Sequence, residues 1–157
     1  KQADMYIEIN NFLENFNYKR YEVSNFALIG YESKHNLNYW NNAEYYGFGI
    51  SAHGYIDGIR YSNYCSFEKY LNSPTKHENE HFVTEQEMLE EEIFLGFRKE
   101  EGINVTDINN KFKIDFEKKY KSALEKFYPE FIIKTENGYK LTLQGTLLSN
   151  NILSEFI

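Results

Sequence analysis

Phe131-Ile132-Ile133-Lys134-Thr135-Glu136-Asn137-Gly138-Tyr139-Lys140-Leu141-Thr142-Leu143 reads as two short strands, Phe131–Lys134 and Tyr139–Leu143, folded back on each other through Asn137-Gly138. The residues before it supply three helices. Thr84-Glu85-Gln86-Glu87 is a capping box, in which a hydroxyl and a carboxylate satisfy free N–H groups of a first helical turn. The helix it starts is expected to bury Met88, Leu89, Ile93 and Phe97 and to end at Gly102. Val105, Ile108 and Phe112 space a second, short helix. Phe116, Tyr120, Ala123, Leu124 and Phe127 recur at three and four, so Asp115–Phe127 is the most regular helix in the chain. A closing helix uses Leu147, Leu148, Ile152 and Phe156. Helix, helix, helix, hairpin, helix is the order of a winged-helix module.

Upstream the texture changes. Pro74 and the polar stretch Thr75–Glu80 read as a linker, which divides the chain into residues 1–73 and 74–157. In the first part Asp4–Asn15 reads as a helix and Tyr21–Ala27 alternates like a strand. A Gly-punctuated loop follows to about Asn38, and Asn41–Tyr46 can cap and begin a short helix. Tyr55–Tyr61 is a tight hairpin around Asp57-Gly58, and Ser66–Asn72 a short helix. Of the 28 aromatic residues, 17 fall in residues 1–70, which makes this part the candidate binding region.

Composition excludes several classes. A formal net charge of −7 argues against duplex binding, because nucleic-acid affinity rests on neutralising phosphates. Lys118, Lys119, Lys121 and Lys126 ride the third helix, where a winged-helix DNA binder would carry its recognition element. Residues 71–157 nonetheless hold 16 acids against 11 bases, so these lysines read as solvated. One cysteine, Cys65, supports neither a disulfide framework nor a multi-thiolate metal site and agrees with a reducing, cytoplasmic setting. No apolar run approaches the roughly 20 residues of a membrane span. Lys1-Gln2 opens without an initiating Met or a signal pattern, so the beginning is expected to be cut from something longer. No phosphate loop is present.

The candidate chemistry is concentrated in His35-Asn36-Leu37-Asn38-Tyr39-Trp40, read as a loop between a strand and a helix. An imidazole can ligate haem iron, flat rings can line a porphyrin, and amides or a phenol can bond its propionates. The same residues could also plug a core and satisfy backbone groups. Gly47, Gly49 and His53 lie in a Gly-rich stretch where a cofactor could approach the backbone, or where a packed imidazole sits among small residues. His77 and His81 are four apart but lack further ligands, and Glu90-Glu91-Glu92 reads as a solvated helix face.

Tyr21-Glu22-Val23-Ser24-Asn25-Phe26-Ala27, Gly30-Tyr31-Glu32-Ser33, His35 to Trp40, and Tyr45-Tyr46-Gly47-Phe48-Gly49-Ile50-Ser51-Ala52-His53-Gly54 together resemble the HemW-type proteins of the oxygen-independent coproporphyrinogen oxidase family. The tail with its hairpin resembles that family's C-terminal domain. The resemblance departs at Leu28-Ile29, where many relatives carry basic and Pro residues, and this bears on loop stiffness.

The resemblance implies an α+β fold: the C-terminal end of a partial α/β radical S-adenosylmethionine barrel over residues 1–73, then a winged-helix-like module over 74–157. It further implies a [4Fe-4S] cluster held by Cys-x-x-x-Cys-x-x-Cys. That motif is absent here, so these residues by themselves are expected to hold no cluster and to be inactive in its radical chemistry. Members with His-Asn-Leu-x-Tyr-Trp resemble haem chaperones, which bind haem and deliver it to acceptor proteins. By that pattern His35 is the haem-iron ligand, and Asn36, Tyr39 and Trp40 shape its surroundings; Gly47, Gly49 and His53 are expected as cofactor contacts from the Gly-rich stretch they share. Two alternatives stand beside this: part of an oxygen-independent coproporphyrinogen III oxidase, which decarboxylates propionates, and a winged-helix interaction or DNA-binding module.

Overall fold

The computed structural model describes residues 1–157 as two compact units, one made of Lys1–Asn41 with Leu89–Ile157, the other of Asn42–Met88. The first unit begins with α1 (Gln2–Glu14), which buries no residue; Met5, Ile9, Phe12 and the following Phe16 are exposed. Strands β1 (Lys19–Arg20) and β2 (Phe26–Ala27) pair antiparallel. The single strand expected over Tyr21–Ala27 is therefore a turn closed onto a short strand. The Glu22 carboxylate accepts the Ser24 N–H at 3.1 Å, and such a local side-chain bond competes with an extended ladder. Helix α2 (Lys34–Trp40) replaces the loop expected at His35–Trp40. Its start is set by Ser33, whose Oγ accepts the Asn36 N–H.

The second unit carries β3 (His53–Ile56), β4 (Ile59–Asn63), α3 (Phe67–Asn72) and β5 (His77–Phe82), with the sheet ordered β3-β4-β5 and antiparallel. Asp57 and Gly58, at φ +51° and +75°, form the expected hairpin turn. The short helix expected at Asn41–Tyr46 is absent: Asn42 is left-handed, and Tyr45 exchanges both backbone hydrogen bonds with Tyr55. The polar stretch read as a linker is largely β5. Its sequence has little strand character, and pairing along β4 overrides it.

Helix α4 (Glu85–Gly96) starts at the capping box and, from Leu89 on part of the first unit, buries Leu89 and Ile93, while Phe97 is buried just past its end. Gly102 does not terminate this helix. At φ +78° it lets β6 (Ile103–Asn104) approach its neighbour, since a Cβ there would lie 2.2 Å from the Tyr139 carbonyl oxygen. Helices α5 (Val105–Phe112), α6 (Phe116–Lys119) and α7 (Lys121–Phe127) follow. The long helix expected over Asp115–Phe127 is thus broken at Tyr120, although Phe116, Tyr120, Ala123 and Leu124 are buried as its spacing requires. Strands β7 (Ile132–Lys134) and β8 (Gly138–Leu141) form the hairpin, and the sheet runs β6-β8-β7. Leu143, expected at the end of a strand, opens α8 (Leu143–Leu147), and α9 (Ser149–Leu153) closes the fold. Phe97, Phe116 and Tyr120 all pack their rings on Phe156. No helix is long and apolar enough to cross a membrane.

Candidate functional site

In α2, His35 and Tyr39 are four residues apart and share one face, while Asn36 and Trp40 share the next. The first face points outward. His35 and Tyr39 are exposed and their rings meet edge-on, with centroids 5.0 Å apart. No hydrogen bond engages either nitrogen of His35. The second face is half-buried, and Asn36 Nδ2 donates to the Tyr21 hydroxyl at 3.3 Å. At the other end of the helix, Asn41 Oδ1 accepts from Lys99 Nζ at 2.8 Å.

A tight turn precedes the helix. The Tyr31 N–H donates to the Leu28 carbonyl at 2.9 Å with Gly30 at φ +85°, a geometry that suits glycine. Ile29 and Tyr31 are thereby left 79% and 81% exposed. Lys34 opens the helix as an exposed ammonium with no ion-pair partner. Between Ile29 and Tyr39 the surface thus offers apolar area, a free imidazole and a free cation. Such a combination suits a flat, partly apolar, anionic ligand.

The Tyr21 segment beneath α2 is tied to residues 98–100. Glu22 is 1% exposed, and its Oε2 and the Arg98 Nε are both buried without a hydrogen bond. Burial pulls the Arg98 pKa down, and the Glu22 charge opposes that shift. Arg20 and Lys140 both pair with Glu100.

Gly47, Gly49 and His53 stand in the other unit. Asn63, 3% exposed, donates to the Gly47 and Gly49 carbonyls at 3.0 and 2.9 Å. The two glycine N–H groups donate to the hydroxyls of Tyr61 and Tyr70. A Cβ on Gly47 would lie 2.2 Å from the His53 carbonyl oxygen, whereas the side-chain position of Gly49 faces open space. The His53 side chain is exposed. Each further imidazole has its own carboxylate: His77 Nδ1 lies 2.8 Å from Glu80, and His81 Nε2 lies 3.0 Å from Glu87.

The residues present do not fit an iron–sulfur cluster. Cys65 is the one thiol, and the hydrogen bond to Glu78 pushes its pKa up, away from the thiolate a metal needs. Sequence reasoning singled out His35 and its neighbours; it did not foresee that Lys34, Ile29 and Tyr31 are exposed beside them in sequence, or that Tyr21 and Lys99 bond to Asn36 and Asn41. The apolar turn residues stand in the sequence, whereas nothing local marks Lys99.

Residues 83–148 match the family described as HemN C-terminal domain. A protein of Lactococcus lactis subsp. lactis named heme chaperone HemW is 43% identical over 160 residues, spanning 100% of this chain and 42% of that protein. The heme chaperone HemW of Bacillus subtilis is 36% identical over 162 residues, spanning 100% of this chain and 43% of that one. The chain therefore spans about two fifths of the length of these curated relatives. Among solved structures, one described as coproporphyrinogen III oxidase (HemN) from Escherichia coli, a radical SAM enzyme, superposes with TM-score 0.72 at 16% identity, covering 98% of this chain and 40% of that one. That likeness speaks for the fold.

Proposed function

The chain belongs to the HemW-type family allied to the oxygen-independent coproporphyrinogen oxidases, and from that membership we propose that the protein receives haem and delivers it to acceptor haemoproteins, with His35 as the iron ligand. The observation that carries this is the outward face of α2, where both nitrogens of an exposed imidazole are unengaged and the Tyr39 ring edge steadies the ring. A neutral imidazole donates a lone pair to iron. A ligand on an open surface keeps one porphyrin face accessible, which suits cargo that must be handed on. Ile29 and Tyr31 supply apolar area, and Lys34 a counter-charge for a propionate. Asn36 and Trp40 shape the site from its inner side.

The same proposal includes a cofactor contact at Gly47, Gly49 and His53, supported by the open side of Gly49. S-adenosylmethionine and a [4Fe-4S] cluster belong, on this reading, to the longer protein that the relatives represent. The division into residues 1–73 and 74–157, the winged-helix likeness of the second part and a cytoplasmic location are parts of the proposal too. The lone free thiol of Cys65 supports that location.

Haemin titration of the full-length protein, followed in the Soret region, tests the reading. His35→Ala is expected to weaken binding at least about tenfold. Parent-like binding by that variant would remove His35 as the ligand, and measurable porphyrinogen decarboxylation would move the protein to the oxidase reading. Salt-dependent duplex binding would favour the DNA-binding alternative.

A further inference from the structure

We infer that Lys99 and Tyr21 are positioning residues for α2, so that the segment Arg98–Glu101, inside the matched stretch 83–148, sets how His35 is presented. This inference rests on the haem reading above. Helix α2 has seven residues and buries none of them, and a helix this short has no independent stability in water. Its direction must come from tertiary ties, and two of them converge on one segment.

At the first turn, Asn36 donates to the Tyr21 hydroxyl at 3.3 Å, and the Tyr21 carbonyl accepts the Glu100 N–H at 3.0 Å. At the last turn, Lys99 donates at 2.8 Å to Asn41, the C-cap residue whose N–H bonds the Leu37 and Tyr39 carbonyls. A cation there also meets the negative end of the helix dipole. Lys99 is not a loosely solvated lysine: its side chain is 15% exposed and its ammonium also pairs with Glu101 at 2.9 Å.

The support itself is firmly seated. Glu22 forms an antiparallel bridge with Lys99, and its buried carboxylate sits in the field of Arg98, whose Nε is buried. Displacing residues 98–101 would take the Arg98 charge from that carboxylate and leave it the Ser24 N–H alone. The C-terminal stretch thereby acts on the imidazole without touching it.

The test uses the full-length protein with Lys99→Met, Lys99→Arg, Tyr21→Phe and His35→Ala. Lys99→Met and Tyr21→Phe are each expected to weaken haemin binding about three- to tenfold and to broaden the Soret band, with Lys99→Arg restoring both. Amide exchange of residues 37–41 without haemin is expected to speed up in Lys99→Met. Parent-like affinity in both variants while His35→Ala loses haemin overturns the inference and spares the haem reading. Parent-like binding by His35→Ala overturns the haem reading and the presentation role with it. Unchanged exchange in Lys99→Met overturns the support itself, whatever haemin does.

Discussion

Asn63 gives both amide hydrogens to the carbonyls of Gly47 and Gly49, and the side chain is almost fully buried. An unsatisfied buried polar group costs about 1–3 kcal/mol, so Asn63→Ala is expected to lower the unfolding free energy by about 2–4 kcal/mol in denaturant melts. A loss under about 0.5 kcal/mol would mean that water replaces the amide. Gly102→Ala is expected to cost about 2 kcal/mol or more, because both its left-handed backbone and the adjacent Tyr139 carbonyl exclude a Cβ. Tyr139 supplies a pH signature. Its hydroxyl donates to Glu117 at 2.7 Å, and burial, then that carboxylate, push its pKa from 10.0 up to about 12. The folded pKa is raised, so this contribution is whole below pH 10 and is lost as pH rises through about 12. Thermal melts from neutral to alkaline pH should show a shallower decline in Tyr139→Phe; identical slopes would refute the assignment.

Elements differ in how far their own residues explain them. The capping box behaves as its chemistry demands: the Glu87 carboxylate accepts both the N–H and the hydroxyl of Thr84 at 2.8 Å, and chiefly the backbone donor holds its pKa below the usual range. A depressed pKa stabilises the fold above the unfolded value of 4.5 and ceases to do so as pH falls through the lower folded value. Glu87→Gln should flatten the acid limb of stability below pH 4.5, measured by melts across the acid range. Helix α2 is the opposite case. Asn36 and Asn38 are poor helix formers, which favours a loop, and the Ser33 cap with ties to Tyr21 and Lys99 reverses that preference. Strand β5, with the composition of a linker, exists because β4 offers it an edge.

At the scale of the molecule, the unit containing α2 draws on both ends of the chain. Removing residues 1–41 would take Glu22 from Arg98, Arg20 from Glu100 and Asn41 from Lys99. The remaining chain is expected to melt several degrees lower, and calorimetry showing an unchanged midpoint would contradict that interdependence.

The residues by themselves determined whatever depends on near neighbours: the Asp57-Gly58 turn, the capping box, the buried spacing of Ile108, Phe112, Phe116 and Tyr120, and the clustering of His35 with aromatic rings, whereas Gly138, expected in a turn, opens β8. Turn geometry and helical period are local properties of a chain and can be read along it. Only the tertiary structure decided that His35 rides a helix with its ring outward, that Thr75–Glu80 leads into a strand, and that Lys99 reaches Asn41, 58 residues earlier. Those outcomes depend on partners far away in sequence, and neither composition nor period carries that information.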